Sequence, residues 1–591
     1  MAQLIRERAS KYGDRTAFRY KRGAAWEGIS WRQVGERVQA VAQGLVELSL
    51  PELSSVGICA PNRPEWSLAD LGTSTARCVS VPIYPTSSPK QLAYILNEAE
   101  VKVLFAGGRG GYDKALSVAS ECPHLQNIVL FDESVETRGG LSCSFSDFLN
   151  FGRNSSAAAE VEERLSRAGP DDLLTIVYTS GTTGEPKGVM LTHANLFAAL
   201  RAHDGRLLDP NDGDLTLCFL PLSHVFERCW TYYALYKGMT NHYLEDPTEV
   251  VQAMQDVRPT IMCAVPRFFE KVHAGILAGL EEMSSAKRAV FWWGHGVGRK
   301  ALEYRRRDAR LPLGLGLKHA IADALVLKKI RALLGGRVKF LPCAGAPLPR
   351  GIEEFFQASG LFITHGYGLT ETTATVTCHE TTGYEPGTVG KPLPGVEVKI
   401  AQGGEILVRG GNVMKGYFKK PEATAEACED GWFKTGDAGS LDGEGRLTIT
   451  DRLKDLMKTS SGKYVAPQQI EVLLEGDPFF GQVCVVGDGR RFVSALVVPD
   501  FPVLEAFAKA RGIASSSRAE LCKNHEVLAL FRERIDARTK NLARHEQVKK
   551  FVLLSEPFSI EGGDLTPTLK VRRRGICEKY ARLIESLYAQ D

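Results

Sequence analysis

Short apolar runs alternate with amphipathic stretches along the first part of the chain. Runs rich in Val, Ile and Leu predict strands at Ser55–Cys59, Cys78–Pro82 and Val101–Phe105. Between them, apolar residues recur at helical spacing in Pro64–Thr75 and Pro89–Ala99. Strands that alternate with helices pair in parallel, because each helix carries the chain back to the start of the next strand. The pattern therefore predicts an α/β fold in which helices cover both faces of mostly parallel sheets.

The pattern changes at about residue 383, where short strand-like runs are separated by glycine-rich turns. Residues 383–451 are therefore expected to form a small β-rich subdomain. Beyond the charged run Asp451–Asp455 lie about 140 residues of mixed helix and strand character, the size of a separate domain. Because 591 residues are too many for one hydrophobic core, we expect an N-terminal domain at 1–451 and a smaller, mobile α+β C-terminal domain at 452–591.

Composition narrows the class of protein. The net charge is +3 and there is no basic domain or recognition motif, which argues against nucleic acid as a partner. The 13 cysteines are scattered without a C-x-x-C pair, as is typical of buried thiols in a reducing compartment. Charged residues are spread through the N-terminus and no run of about 18 apolar residues occurs, so neither a secretory signal nor a spanning helix is expected. We expect a cytoplasmic protein, with association at the inner face of the membrane left open.

The most informative segment is the string Tyr178–Gly188, which follows the apolar run Leu173–Val177. Its candidate phosphate ligands are Thr179, Ser180, Gly181, Thr182, Thr183, Gly184 and Lys187. Glycines let backbone N–H groups approach a ligand, hydroxyls donate further hydrogen bonds, and a lysine adds positive charge. At the end of a strand, this composition predicts a nucleotide-phosphate site. The spacing is not that of a P-loop, which places Gly-Lys-Ser/Thr at the start of a helix, and the alternative is a mobile surface turn.

A second constellation, His365–Thr373, places two glycines around an aromatic residue and follows them with a threonine and a carboxylate. Tyr367 is suited to cover a base or a ribose. Glu371 is suited to hold Mg²⁺, which proteins commonly bind through one or two carboxylates together with substrate phosphates. The alternative is a glycine turn before a helix, with Thr370 as the N-cap.

Three weaker motifs accompany these two. Cys343–Leu348 follows an apolar run, and its small residues leave room for a flat base, although an ordinary turn has the same composition. Asp437 closes a glycine turn and is placed to accept hydrogen bonds from both hydroxyls of a ribose, while Arg452 lies in the charged run that follows. On composition alone, Asp564–Arg573 is best interpreted as the solvated basic start of a helix.

In this order, the five motifs resemble those of the adenylate-forming superfamily: acyl-CoA synthetases, firefly-type luciferases and peptide-synthetase adenylation domains. The resemblance extends from about Leu4 to the C-terminus. Three further stretches resemble long-chain fatty-acid–CoA ligases of bacteria. They are Leu220–Arg228, similar to the acyl-site segment, Phe291–Arg307, similar to the helical insertion, and Lys463–Pro467, similar to the signature of the C-terminal domain.

The resemblance implies a two-step ligation that uses ATP, Mg²⁺ and coenzyme A. A fatty carboxylate attacks the α-phosphorus of ATP and expels pyrophosphate. The acyl-adenylate then reacts with the thiol of coenzyme A, giving the thioester and AMP.

The resemblance also implies roles for individual residues. Thr179–Lys187 would hold the β- and γ-phosphates, and Thr179 with Glu371 would anchor Mg²⁺. Lys570 would reach between the carboxylate and the α-phosphate, and Lys454 occupies the hinge position of the superfamily. The remaining nucleotide ligands would be Gly345, Ala346, Pro347, His365, Gly366, Tyr367, Gly368 and Thr370 near the adenine, Asp437 and Arg452 at the ribose, and Lys454 and Lys458 at the phosphate. The catalytic set would be Lys570, Glu371, Thr179, Lys187 and His224.

Three positions depart from the superfamily pattern. Ala344 stands where Gly-Gly is common, which narrows the expected adenine slot. His365 stands where glutamine is common, which bears on the contact with adenine. Ser461 stands where many relatives have glycine, in a loop expected to face the coenzyme A channel.

Several alternatives stay open at this level. The acid substrate is long-chain, medium-chain or aryl, or the chain is a non-catalytic nucleotide-binding relative. His224 either gates the acyl pocket or is a satisfied core histidine. Phe226, Trp230, Tyr232 and Tyr233 line an acyl tunnel or simply fill a core.

The basic stretch Lys287–Arg310 also has two interpretations. It docks on anionic lipid headgroups as a peripheral membrane contact, or it is a solvated helix face. The oligomeric state is open between monomer and homodimer.

Overall fold

Apolar strands assemble into an eight-stranded sheet in the computed structural model, which describes residues 1–23, 25–179, 185–460, 462–566 and 571–589. Its strands lie in the order Gly416–Tyr417, Lys187–Thr192, Leu173–Thr179, Val79–Ile83, Ser55–Cys59, Val103–Ala106, Asn127–Leu130 and Ser142–Ser144. Neighbours from Leu173–Thr179 to Ser142–Ser144 are parallel, whereas the two strands at the opposite edge pair antiparallel. The predicted mostly parallel sheet is confirmed.

Both faces of this sheet are buried. Val103 and Phe105 belong to the hydrophobic cluster that also contains residues of helices Trp31–Glu47 and Pro64–Thr75. Leu104 and Ala106 of the same strand enter a different cluster on the other side of the sheet. Because side chains alternate along a strand, every position of such a strand must be apolar, and this explains the continuous apolar runs in the sequence.

Several helices begin at capping residues that the sequence displays. Ser30 and Ser88 each accept a hydrogen bond from the backbone N–H of a glutamine three residues on, and that glutamine's side chain accepts one in return. The described α-helices are Ala2–Tyr12, Trp31–Glu47, Pro64–Thr75, Pro89–Glu98, Gly108–Ala119, Phe145–Arg153, Ala158–Arg167, His193–Asp204, Val225–Lys237, Val250–Val257, Pro266–Glu281, Ser285–Arg306, Leu313–Ala322, Lys328–Leu333, Arg350–Ala358, Pro421–Ala427, Pro467–Glu475, Phe501–Arg511, Arg518–Leu521, His525–Thr539, Arg573–Lys579 and Ala581–Tyr588. None of them is both long enough and apolar enough to cross a lipid bilayer.

Two mixed sheets complete the larger part of the chain. One has the strand order Leu215–Cys218, Thr240–Tyr243, Thr16–Arg22 and Ala25–Ser30. The other, called the motif sheet below, has the order Leu341–Cys343, Ile363–Tyr367, Thr377–Cys378 and Lys391–Pro392. Its first two strands are parallel, with Cys343 opposite His365, so the two predicted nucleotide motifs that follow these strands emerge at the same edge.

The β-rich part of the chain is an antiparallel sheet of the strands Val396–Ile400, Glu405–Gly410, Trp432–Leu441, Cys428–Glu429 and Leu447–Arg452. The C-terminal part contains the hairpin Met457–Lys458 and Tyr464–Val465, and the sheet Phe480–Val486, Val493–Pro499 and Val548–Leu553. A hydrophobic cluster between Met457 and Ile584 is drawn wholly from this C-terminal part, which therefore has a core of its own.

One buried carboxylate lies where the two parts meet. Asp451, at the end of the β-rich sheet, accepts hydrogen bonds from the backbone N–H of Arg452 at 2.7 Å and of Gln468 at 3.1 Å. Gln468 belongs to the first helix of the C-terminal part, Pro467–Glu475. Burial raises the pKa of Asp451 to about 6, while these two hydrogen bonds act in the opposite direction.

A buried ion pair joins the helix Val225–Lys237 to the helix Pro64–Thr75, which packs on the large sheet. The side chains of Arg228 and Asp70 are 4% and 2% exposed, and two hydrogen bonds of 3.0 and 2.5 Å link them. Arg228 also donates to the hydroxyl of Thr175 at 2.7 Å, and the hydroxyl of Tyr232 donates to Asp70 at 2.5 Å. The charges are therefore matched by a full set of donors and acceptors, as a buried ion pair requires.

Removing the negative charge of this pair should destabilise the protein strongly. We expect Asp70→Asn, which keeps the shape of the side chain, to lower the free energy of unfolding by about 3–5 kcal/mol, because Arg228 then remains charged and unpaired in the core. Urea denaturation followed by tryptophan fluorescence measures the change. Glu397→Gln is the matched control, because Glu397 pairs with Arg409 at the surface and its loss should leave the midpoint unchanged. Equal midpoints for the two variants would contradict this account of the pair.

Candidate active site

The predicted phosphate loop connects two antiparallel strands. The buried strand Leu173–Thr179 leads into it and Lys187–Thr192 leads out, with Thr179 opposite Lys187 in the register. Ser180, Gly181, Thr182, Thr183 and Gly184 lie outside the described residues. The segment ends in a strand, whereas a P-loop opens a helix, which agrees with its different lysine spacing.

Lys187 and Glu371 are brought together by a residue that the sequence analysis did not single out. The ammonium of Lys187 lies 4.9 Å from the centroid of the Tyr417 ring, a cation–π distance. The hydroxyl of Tyr417 donates to one carboxylate oxygen of Glu371 at 3.0 Å. Tyr417 reaches this position because Gly416–Tyr417 pairs with the strand that Lys187 begins. The residues around Tyr417 in the sequence do not indicate this role, because the contact depends on the pairing of strands that are far apart in the chain.

Glu371 sits in a short 3₁₀ helix, Thr370–Thr372, whose N-cap position is Leu369. Thr370 is thus not the N-cap that the alternative interpretation required. Burial raises the pKa of Glu371, and the Tyr417 hydroxyl and the charge of Arg452 act in the opposite direction. The second carboxylate oxygen makes no hydrogen bond within the described part of the chain. That oxygen is therefore available to bind a cation.

Tyr367, Asp437 and Arg452 form a second group. The hydroxyl of Tyr367 donates to the carboxylate of Asp437 at 2.6 Å, and Arg452 lies 3.5 Å from the other carboxylate oxygen. Asp437 and Arg452 face each other on adjacent antiparallel strands. The glycine turn before Asp437 is real, since Gly436 has a φ of +71°, a conformation that favours glycine. Tyr367 comes from one predicted motif and Asp437 and Arg452 from another, and the fold brings all three together.

The glycines on either side of Tyr367 are required by packing within the protein. A Cβ at Gly366 would lie 2.7 Å from the carbonyl oxygen of Thr377, and one at Gly368 would overlap the carbonyl oxygen of Ala374. The chain after residue 373 folds back against this strand and leaves no space for side chains. The structure thus accounts for both glycines by backbone contact alone.

The other predicted ligands lie in different surroundings. Gly345, Ala346 and Pro347 form an exposed turn directly after the strand Leu341–Cys343, and Gly345 has a φ of +94°. Lys454 and Lys458 are exposed in the C-terminal part. Lys570 lies outside the described residues.

His365 points into a buried polar cluster. It is 3% exposed, and burial lowers its pKa to about 4. Its nearest titratable neighbours are Glu353 and His379, which lie 3.2 Å apart and are also buried. Glu353 is held by the backbone N–H of Gly387 at 3.1 Å. The His365 ring is thus buried beside Glu353 and His379, and its predicted contact with adenine stays a prediction.

An apolar cavity lies between the helix Val225–Lys237 and the motif sheet. It is lined by Phe226, Cys229, Trp230 and Tyr233 of the helix, by Pro342, Cys343, Thr364, Gly366 and Cys378 of the motif sheet, and by His203, Leu207, Ala344, Ala374 and Thr375. Tyr232, the fourth aromatic residue of the predicted tunnel, instead donates to Asp70 in the buried ion pair. Half-buried His224 is the N-cap of the same helix, since its Nδ1 accepts a hydrogen bond from the N–H of Phe226 at 3.1 Å.

Comparison with known families adds to this geometry. The model of the AMP-binding enzyme family matches residues 5–418, and that of the AMP-binding enzyme C-terminal domain matches residues 454–591.

Individual proteins are similar over nearly the whole chain. The chain is 35% identical to the long-chain-fatty-acid–CoA ligase FadD15 of Mycobacterium bovis over 576 residues, which cover 96% of this chain and 93% of that protein. It is 34% identical to the peroxisomal long chain acyl-CoA synthetase 6 of Arabidopsis thaliana, covering 96% and 82% of the two chains. Among solved structures, the adenylation domain of the carboxylate reductase from Mycobacterium chelonae has a TM-score of 0.77 at 24% identity, covering 100% of this chain and 91% of that one. The last similarity concerns the fold alone.

Proposed function

The chain belongs to the AMP-binding enzyme family, and we propose that it is a long-chain fatty-acid–CoA ligase. It joins a long-chain fatty acid to coenzyme A at the expense of ATP. An acyl-adenylate forms first with release of pyrophosphate, and the thiol of coenzyme A then displaces AMP. The long-chain acyl-CoA ligases to which the chain is similar over most of its length support this activity.

One observation carries the proposal at the level of the site. The apolar cavity shares Cys343, Ala344 and Gly366 with the two nucleotide motifs of the motif sheet. The cavity has a volume of about 30 Å³, so a long acyl chain would have to widen it, and a chain held against Trp230 and Tyr233 would place its carboxylate at the edge where those motifs emerge. Binding of the apolar tail thus positions the reacting group, which is a large part of what an enzyme supplies in a bimolecular step.

The charged residues address the electrostatic difficulty of the reaction. A carboxylate and a triphosphate repel each other, so attack requires fixed positive charge and oriented donors where negative charge builds up. Lys187 and the N–H groups of the loop before it would hold the β- and γ-phosphates. Asp437, fixed by Tyr367 and Arg452, would accept hydrogen bonds from the ribose hydroxyls. Lys570 would lie between the carboxylate and the α-phosphate.

Mg²⁺ fits the donors at the phosphate end of the site. Glu371 offers a carboxylate oxygen, and Thr179, directly before the loop, offers a hydroxyl. Thr179 lies opposite Lys187 in the strand pair, so the side chains of these two residues are on the same side of the sheet. Lys187 contacts Tyr417 on that side. When bound there, the ion would neutralise charge on the phosphate oxygens.

The preferred acid should be set by apolar burial. Each methylene that enters the cavity contributes about 0.8 kcal/mol, so kcat/KM should rise about fourfold per methylene until the cavity is filled. Coenzyme A-dependent AMP release over a series of fatty acids from short to very long measures this rise. A maximum at medium-chain or aryl acids would replace the long-chain assignment. Absence of labelled pyrophosphate exchange into ATP with every acid would identify a non-catalytic relative.

Loss of Lys570 should affect one half-reaction. We expect Lys570→Ala to slow adenylation by about 10²–10³-fold, as for other single groups that stabilise a charged transition state. Thioester formation from supplied acyl-adenylate should be unchanged, because Lys570 has no part in that step. Lys509→Ala, an exposed lysine of the helix Phe501–Arg511, serves as the control and should leave both rates as they are. Equal loss in the two half-reactions would remove the proposed role of Lys570.

Loss of the charge on Glu371 should appear as a change in magnesium dependence. Glu371→Gln keeps the size of the side chain and its contact with Tyr417, so we expect the Mg²⁺ concentration at half-maximal adenylation to rise about tenfold or more. Titration of pyrophosphate exchange with Mg²⁺ measures this concentration. Glu422→Gln, at an exposed glutamate of the helix Pro421–Ala427, should leave it unaltered. An unshifted titration for Glu371→Gln would exclude this residue as a metal ligand.

A further inference from the structure

Exposed apolar side chains are concentrated in one helical hairpin. The hairpin consists of the helix Ser285–Arg306 and the helical segment 313–333, with the turns beside them. Nine of the fifteen large apolar side chains that are exposed in the described part of the chain belong to it: Met283, Val290, Trp292, Trp293, Leu313, Leu317, Ile321, Leu325 and Leu333. Single exposed apolar residues are ordinary, but a concentration of this kind marks an interaction surface.

The most exposed of these apolar side chains follow one another along the second helical segment. Leu313 is 95% exposed and Leu317 is 68% exposed, and Ile321 and Leu325 follow at intervals of four residues. Residues four apart lie on the same side of a helix, so these side chains form one stripe. The buried residues Ala322, Val326 and Leu327 face the rest of the protein. The stripe is therefore the outer face of an amphipathic segment whose inner face is already covered.

The two tryptophans lie at one end of this stripe. A Cβ at Gly294 would lie 2.7 Å from the side chain of Val326, so the first helix passes the second at this level. Trp292 and Trp293 precede Gly294 by two residues and one residue, and both are about half exposed. Both are thus within two residues of this crossing, and Leu325 is next to Val326 along the second segment, so exposed apolar side chains occur on both helices near the crossing. Tryptophan is the residue that is enriched at the boundary between water and lipid.

The hairpin is also the basic part of the molecule. Residues 281–335 contain twelve Lys and Arg against five Asp and Glu, a net charge of +7. The whole chain carries +3, so the remaining residues together carry −4. The exposed cations include Lys318, Lys328 and Lys329, which flank the stripe on its own helix. Apolar side chains flanked by basic ones are the composition of helices that lie in the interface of an anionic membrane.

We propose that this hairpin docks the protein on an anionic lipid surface, with the stripe Leu313–Leu325 and Trp292–Trp293 inserted among the headgroups and the lysines paired with lipid phosphates. The positive charge of the hairpin indicates which partner binds to it. Two copies of the hairpin would bring like charges together, whereas an anionic bilayer has the complementary sign. The helices would lie in the plane of the interface, as amphipathic helices with a basic polar face do.

Vesicle flotation tests this proposal directly. The full-length protein should float with vesicles of phosphatidylcholine and phosphatidylglycerol, and less with phosphatidylcholine alone. High salt should weaken the binding. Leu313→Ser/Leu317→Ser/Leu325→Ser should lower the partition coefficient at least tenfold. The matched control is Leu53→Ser/Leu208→Ser/Leu473→Ser, which removes three exposed leucines outside the hairpin and should bind like the wild type.

A second measurement uses the unmodified surface, in case the triple variant fails to fold. Lipids that carry a spin label in the headgroup region should quench the tryptophan fluorescence of the wild-type protein. Trp292→Phe/Trp293→Phe should lose most of that quenching while still floating.

Three results would overturn the proposal: no flotation with either vesicle, equal loss in the two triple-leucine variants, or a wild-type dimer that the hairpin variant dissociates without any vesicle binding. Pyrophosphate exchange with a water-soluble acid, measured without vesicles, should be the same in all variants. Failure of docking is thus separable from failure of the proposed ligase activity.

Discussion

The buried pair of Arg228 and Asp70 fixes the relative position of the two halves of the candidate site. Charges removed from water destabilise a core unless each is matched by a partner and by hydrogen bonds, and here Thr175 and Tyr232 complete the set. Thr175 lies on the strand that ends at the phosphate loop, and Arg228 lies on the helix that walls the apolar cavity. One polar interaction therefore links the strand that leads into the predicted phosphate loop to the helix that lines the apolar cavity.

The cavity and the predicted nucleotide motifs share a wall, and under the proposed function this arrangement would make the apolar tail of the acid part of the catalytic apparatus. Burial of the tail releases free energy far from the reacting atoms, and that energy can hold the carboxylate in line with phosphorus. A shorter acid would be expected to lose rate as well as affinity. The same wall is built from backbone in close contact, as Gly366 and Gly368 show, so it has little freedom to adjust to a different ligand.

Much of this could be predicted from the sequence, because the signals were local. Continuous apolar runs gave the strands of the large sheet, and Ser55–Cys59 and Pro64–Thr75 were predicted with the bounds that the structure has. The turn before Asp437 was visible as glycine next to a carboxylate. The pairing of Asp437 with Arg452 follows from a hairpin of moderate length, and the resemblance had assigned both to the same ribose.

Long-range pairing set the limits of prediction. Tyr417 contacts both Lys187 and Glu371. These contacts form only because the two-residue strand Gly416–Tyr417 pairs with the distant strand Lys187–Thr192, which the sequence does not indicate. The glycines around Tyr367 had been associated with a nucleotide, whereas tertiary contact with residues 374–378 requires them. The leucines of 313–325 have the periodicity of a core-facing helix, and periodicity cannot tell a covered stripe from an open one.

Asp451 combines two opposing effects at the joint between the two parts of the chain. Its carboxyl is buried with a pKa of about 6, so at neutral pH it carries a charge in surroundings that disfavour it. A turn of the C-terminal part that separated Gln468 from Asp451 would break one hydrogen bond but return that charge to water. The two effects oppose each other and partly cancel, which lowers the energetic difference between orientations. Loss of this one contact would therefore disfavour such a turn less than the broken hydrogen bond alone suggests.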